Sequence, residues 1–152
     1  FLCQPTLCFY WRSRLNIFVL KGQIKHKKKV MTYVQNISKE LKIDRMWSKV
    51  IVIKFKTSLN EEAQGLCWGD IKEGYVEIDI ARTVHGVKLE YTDIMKTIAH
   101  EMVHAKQYLR GELNGYNHSW KGKEPRNYSY ENSPWEKEAH KLEEKLYKSC
   151  YI

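Results

Sequence analysis

Apolar residues recur along this 152-residue chain with two periods, and the switches between them mark out its elements. Val34, Ile37 and Leu41 fall three and four apart, which predicts a helix over residues 33–41. Residues 50–55, Val-Ile-Val-Ile-Lys-Phe, are β-branched and read as a strand. Residues 63–72 and 75–81 read as a hairpin turning at Glu73-Gly74. In its second arm Val76, Ile78 and Ile80 share one face, as in a half-buried strand. This arm is a candidate sheet edge, where free N–H and C=O groups can take up an extended peptide, with an interior strand that has no substrate role as the equal alternative. Helical spacing returns with Ile94, Ile98, Met102, Ala105 and Leu109, over residues 92–110. A last helix is expected over residues 134–149. Ser133 suits the N-cap, Pro134 suits the first turn, and Trp135, Ala139, Leu142 and Leu146 form an apolar stripe. Helix, small antiparallel sheet and two further helices make an α+β order, and a chain of this length buries one core.

The second helix carries His100-Glu101-Met102-Val103-His104, an HExxH sequence. Residues four apart on a helix share a face, so His100 and His104 can offer imidazole nitrogens to one metal ion. Glu101, one position along, is poorly placed as a ligand but can reach a water at that ion and take its proton. A helix with one buried and one solvated histidine is the plain alternative. The apolar flanks count against it, because ionisable groups on a buried face need a partner.

A catalytic zinc usually has three protein ligands and keeps its fourth position for water. No histidine follows at the spacing of an HExxHxxGxxH site. His118 and Glu136 remain as third-ligand candidates, with Glu138 behind them. Glu136 stands in the first turn of the last helix, where packing can fix it, whereas His118 sits in a polar Asn/Gly-rich connection. As an acid near a helix N-terminus, Glu136 has the helix dipole as its ordinary explanation. His140 lies one turn further along the same face.

HExxH, a connection of some thirty residues and Glu-x-Glu-Ala at the start of a helix resemble the gluzincin branch of the zincin metallopeptidases. The chain is most similar to small phage- and bacteria-encoded metallopeptidase-like proteins. Their pattern of HExxHxxQ, Gly, Trp-x-Gly-Lys, a Tyr-rich loop and Pro-Trp-Glu-x-Glu-Ala is matched by residues 100–107, Gly111, residues 120–123, Tyr128 with Tyr130, and residues 134–139. The resemblance implies a minimal zincin-like fold and a zinc-dependent peptidase with Zn2+ on His100, His104 and Glu136. Glu101 is then the general base, and Tyr128 and Tyr130 are candidate oxyanion donors. Many gluzincins carry an Asp four residues after the ligand Glu; His140 stands there instead. SprT-like proteases, some of them DNA-associated, are the second resemblance, and they would make His118 the third ligand. A non-catalytic zinc-binding or protein-interaction module is the alternative outside enzymes. The intact Glu101 opposes it, since a structural zinc takes four protein ligands and no base.

Charge changes the picture only at the start of the chain. Of the 26 basic residues behind a net charge of +8, seven lie in residues 1–30, which contain no acid. Residues 31–152 are therefore near neutral, which speaks against a nucleic-acid partner. The basic leader, with Met31 the first methionine, is expected to lie outside a metallopeptidase-like domain spanning residues 31–152. A basic arm around residues 25–29 is its functional alternative. Cys3, Cys8, Cys67 and Cys150 form no CxxC pair and suggest free thiols in a cytoplasmic setting. No apolar run is long enough to span a bilayer. A peptide or protein substrate is the expected partner.

Overall fold

The structure, a computed structural model, describes residues 17–46 and 48–152. Four strands form the main sheet: β1 (Ile17–Lys21), β2 (Val50–Lys56), β3 (Gly65–Asp70) and β4 (Tyr75–Ala81). Their order is β1-β2-β4-β3. β1, β2 and β4 run parallel, and β3 runs antiparallel to β4. Two short strands, β5 (Thr83–Val84) and β6 (Val87–Lys88), pair beyond β4. The helices are α1 (Lys27–Glu40), α2 (Tyr91–Leu109) and α3 (Pro134–Cys150). This is an α+β fold.

Burial alternates along β4, and along β2 apart from Val52, which is buried as well. Ile51, Ile53 and Phe55 on β2 and Val76, Ile78 and Ile80 on β4 join one core with Val34 and Ile37 of α1, Ile98 and Met102 of α2, and Ala139 and Leu146 of α3. The positions between them carry the ion pairs Lys54–Glu77 and Lys56–Asp79, both 3.1 Å. Helices thus cover one face of the sheet, and charged rungs occupy the other. Inside the core the Tyr33 hydroxyl donates to the Met95 carbonyl at 2.7 Å, tying α1 to α2.

The sheet is mixed rather than antiparallel, because β1, β2 and β4 are joined by crossovers that return each strand in the same direction. The strand Tyr75–Ala81 is interior, flanked by β2 and β3; its alternation reflects one-sided helix cover, not a free edge. The edge beside it is β3.

Nor does the leader lie wholly outside the fold. Ile17–Lys21 pairs with Val50–Lys54, and Phe18 and Leu20 pack against the core. Lys27 to Val30 open α1, with Val30 fully buried. The four apolar residues from Ile17 to Leu20 were enough to make a strand, although basic residues flank them. Residues 1–16, with Cys3 and Cys8, lie outside the described residues. Cys67 and Cys150 are free thiols. Among the described residues no helix is long and apolar enough to cross a membrane.

Candidate metal centre

α2 and α3 pack side by side, and the HExxH turn faces the first turn of α3. Ser133 occupies the N-cap and Pro134 the first position of α3, as the sequence suggests. The Ser133 hydroxyl does not cap the helix; it donates to the Tyr130 carbonyl at 2.8 Å and so fastens the preceding turn. Glu136 then projects from a fixed helix end onto the two histidines.

His100 Nε2 lies 3.0 Å from Glu136 Oε1, and His104 Nε2 lies 3.0 Å from Glu136 Oε2. All three residues are buried, and their donor atoms lie within 4.8 Å of one another, so the group can hold a metal ion. Two observations test that fit. His104 Nε2 is buried and, despite its nearness to Glu136, has no aligned hydrogen-bond partner. A lone pair shut away from water in this manner suits a cation. The spacing also suits: two ligands about 2.1 Å from one zinc stand roughly 3.4 Å apart at a tetrahedral angle.

Gln107, fully buried, fixes His104. Its amide nitrogen donates to the Trp135 carbonyl at 3.0 Å and to Glu138 Oε1 at 2.9 Å. Its oxygen must therefore face His104 Nδ1, 2.8 Å away, and accept the proton there. That leaves the Nε2 lone pair of His104 for the site. Lys106 holds Glu138 in place at 3.1 Å. Glu138, the remaining ligand candidate, supports Gln107 rather than joining the donor group.

His100 is oriented by Glu143, a residue that motif reading missed. Glu143 Oε1 lies 3.4 Å from His100 Nδ1 and 2.8 Å from His140 Nδ1. The available signal was helical spacing: Glu136, His140 and Glu143 lie on one face of α3. His140 stacks obliquely on His100, with ring centres 4.6 Å apart. His100, His140 and Glu143 also form a group with metal-ligand spacing. A second ion there would require His100 to give up its Nδ1 proton while Nε2 faces Glu136. Orientation of His100 is the simpler role for Glu143.

Burial works against charge on His100 and His104, but Glu136 and Glu101 outweigh it and raise both imidazoles above their ordinary value. Burial likewise acts to raise Glu136, yet contact with the two histidines holds its carboxyl far below the usual carboxylate range. The direct contact between His100 Nε2 and Glu136 needs a proton, and a cation can take that proton's place.

Glu101 is buried next to the donor group and is not one of its members. Burial pushes its carboxyl up, with His104 and His100 pulling the other way. A carboxylate with a raised pKa is a better proton acceptor near neutral pH. Gly65 makes room for it: a Cβ on Gly65 would stand 2.7 Å from Thr97 Cγ2 and 3.1 Å from Glu101 Oε1. The edge strand thus passes directly against Glu101.

The two tyrosines part company. Tyr130, in the short 3-10 turn Tyr130–Asn132, meets His140 edge-on with ring centroids 6.3 Å apart; partial loss of hydration and then the nearby Glu136 carboxylate raise its phenol above the ordinary value. Tyr128 packs edge-on against Trp135, with centroids 5.7 Å apart, and lines a groove with His118 and Trp120. Tyr128 is thereby placed with the aromatic wall and not with the donor group. His118 lies in that same groove in a left-handed conformation and does not approach the other two histidines closely enough to join their group.

No protein-family model, no curated protein and no solved structure matches this chain.

Proposed function

We propose that this protein is a zinc-dependent peptidase of the gluzincin type. The observation that carries the reading is the convergence of His100, His104 and Glu136 beside a buried Glu101 that is not itself a ligand. Zinc in this site would supply a Lewis acid that brings the pKa of water to about 7 and polarises a peptide carbonyl. Three protein donors leave room for water and substrate, as a structural site with four would not.

The chain's own residues divide the remaining work. Gln107 and Glu143 hold the imidazoles with Nε2 forward. Glu101 accepts the proton of the attacking water and returns it to the leaving amine. Tyr130, at the rim beside Glu136, is the donor proposed for the developing oxyanion. β3 is the proposed substrate edge, because Gly65 brings its backbone against Glu101.

Purified protein should contain about one zinc per chain and cleave some members of a mixed peptide set, and a chelator should abolish that cleavage. Glu101→Gln should keep the metal and the fold while hydrolysis falls by at least about a hundredfold. Equal turnover by the two proteins would falsify the mechanism. A zinc-loaded wild-type protein that cleaves nothing would point to a binding module.

A further inference from the structure

β3 offers a peptide less edge than its length suggests. The N–H of Ala81 donates to the carbonyl of Gln64 at 2.9 Å, so Gln64, Leu66, Trp68 and Asp70 turn their backbone groups toward β4. Gly65, Cys67 and Gly69 turn theirs to the free side. Gly65 is open beside Glu101. The carbonyl of Cys67 receives the Tyr108 hydroxyl at 3.4 Å. Gly69 is covered: a Cβ on Gly115 would stand 2.3 Å from the Gly69 oxygen, so the backbone of the 114–117 turn lies directly on the strand.

The turn is fastened there from several directions. The Trp68 indole N–H donates to the Gly115 carbonyl at 3.2 Å. Tyr116 meets Trp68 edge-on at 5.9 Å, and its hydroxyl donates to Asp70 Oδ2 at 3.3 Å. Asn114 Oδ1 accepts the backbone N–H of Tyr116 at 2.8 Å and of Asn117 at 3.1 Å. The root of the connection is held as well, since the N–H groups of Glu112 and Leu113 donate to the Gln107 carbonyl at the end of α2.

We propose that the Gly115 turn ends the substrate cleft, so that β3 pairs with only a short stretch of peptide on one side of the scissile bond. The inference rests on the peptidase reading. With a rise of about 3.3 Å per residue, the run from Gly65 to the covered Gly69 accommodates about three substrate residues. A longer chain must leave the sheet at that point. The substrates that fit are short peptides, chain ends and bent segments, and a long regular strand is excluded on that side.

The test is a length series on the full-length, zinc-loaded wild-type protein. A peptide it cleaves is extended one residue at a time, first at one end and then at the other, and kcat/KM is measured. On one side the value should rise over about three residues and then change less than twofold, as expected when added residues find no contacts. The Gly115→Val protein, in which the side chain pushes the turn off β3, should shift that plateau outward. If this variant does not fold, the wild-type series decides alone. Values that keep rising past five residues on both sides, or a plateau unmoved in a folded Gly115→Val protein, overturn the inference and leave the peptidase reading standing. Zinc-loaded protein that cleaves no peptide overturns both.

Discussion

The wall made by α2 and α3 and the connection between them differ in almost every physical respect. On α2 the whole HExxH turn is buried, and Gln107 has no exposed surface. In the connection, residues 121–132 are all exposed. Side chains on the wall have their rotamers set by packing and by a second tier of hydrogen bonds. Those on residues 121–132 lack that cover, although the earlier part of the connection is fastened to β3 through Gly115 and Tyr116. The proposed ligands and base all come from the wall, and the rejected ligand His118 comes from the connection. A site that must keep three donors within a few tenths of an ångström is better built on packed helices than on a loop.

The largest effect that separates the two regions is metal loss. His100→Ala or His104→Ala should leave the protein without stoichiometric zinc, and Glu136→Gln should weaken binding severely, whereas His118→Ala should be silent. Metal analysis after dialysis checks this. Zinc lost from the His118→Ala protein alone would move the site onto the connection.

Next come the residues behind the ligands. Gln107→Ala and Glu143→Gln should each lower zinc affinity about 10- to 100-fold, the usual scale for groups that orient a ligating histidine. Competition with a chromogenic chelator measures it. Unchanged affinity for Glu143→Gln would mean that its contact with His100 is incidental.

A third comparison sits inside the connection. Tyr130→Phe should lower kcat by about tenfold or more with little change in zinc content, as for a lost oxyanion donor. Tyr128→Phe keeps the ring that packs on Trp135 and should change kcat less than twofold. Equal losses would show that the loop acts as a unit.

The smallest effect on the site should come from the far end of the sheet. A chain beginning at Met31 loses β1 and the first turn of α1. With Phe18 and Leu20 half-buried, the loss is on the order of 2–4 kcal/mol. Denaturant unfolding should show it, with zinc affinity nearly unchanged. A truncated chain as stable as the full one would return residues 17–30 to the status of a leader.

What the sequence disclosed follows the same division. α2 was placed within a residue at each end, because its apolar positions keep one period over five turns and both chemical groups ride on it. Glu136 could be favoured since Ser133-Pro134 marks a helix start. The strand order could not be read. Tyr75, Glu77 and Asp79 alternate with apolar residues whether β4 is an edge or an interior strand with one face uncovered, and only pairing decides. β1 is hard to see because its apolar run is short and lies between Arg12 and Arg14 on one side and Lys21 and Lys25 on the other. Glu143 carries no motif; its role exists only because α3 crosses α2 at His100.

The separation of His104 from Glu136 along the chain has a consequence for stability. On the zinc reading, one ion ties two points about thirty residues apart, as a disulfide does. By loop-closure entropy, a cross-link of that span restricts the unfolded chain by about 4 kcal/mol. The ion would then act as a removable staple across the connection that carries Tyr130 and the Gly115 turn. Chelation should loosen that segment before the sheet, and amide exchange there would follow free zinc concentration, coupling order at the mouth of the cleft to metal supply.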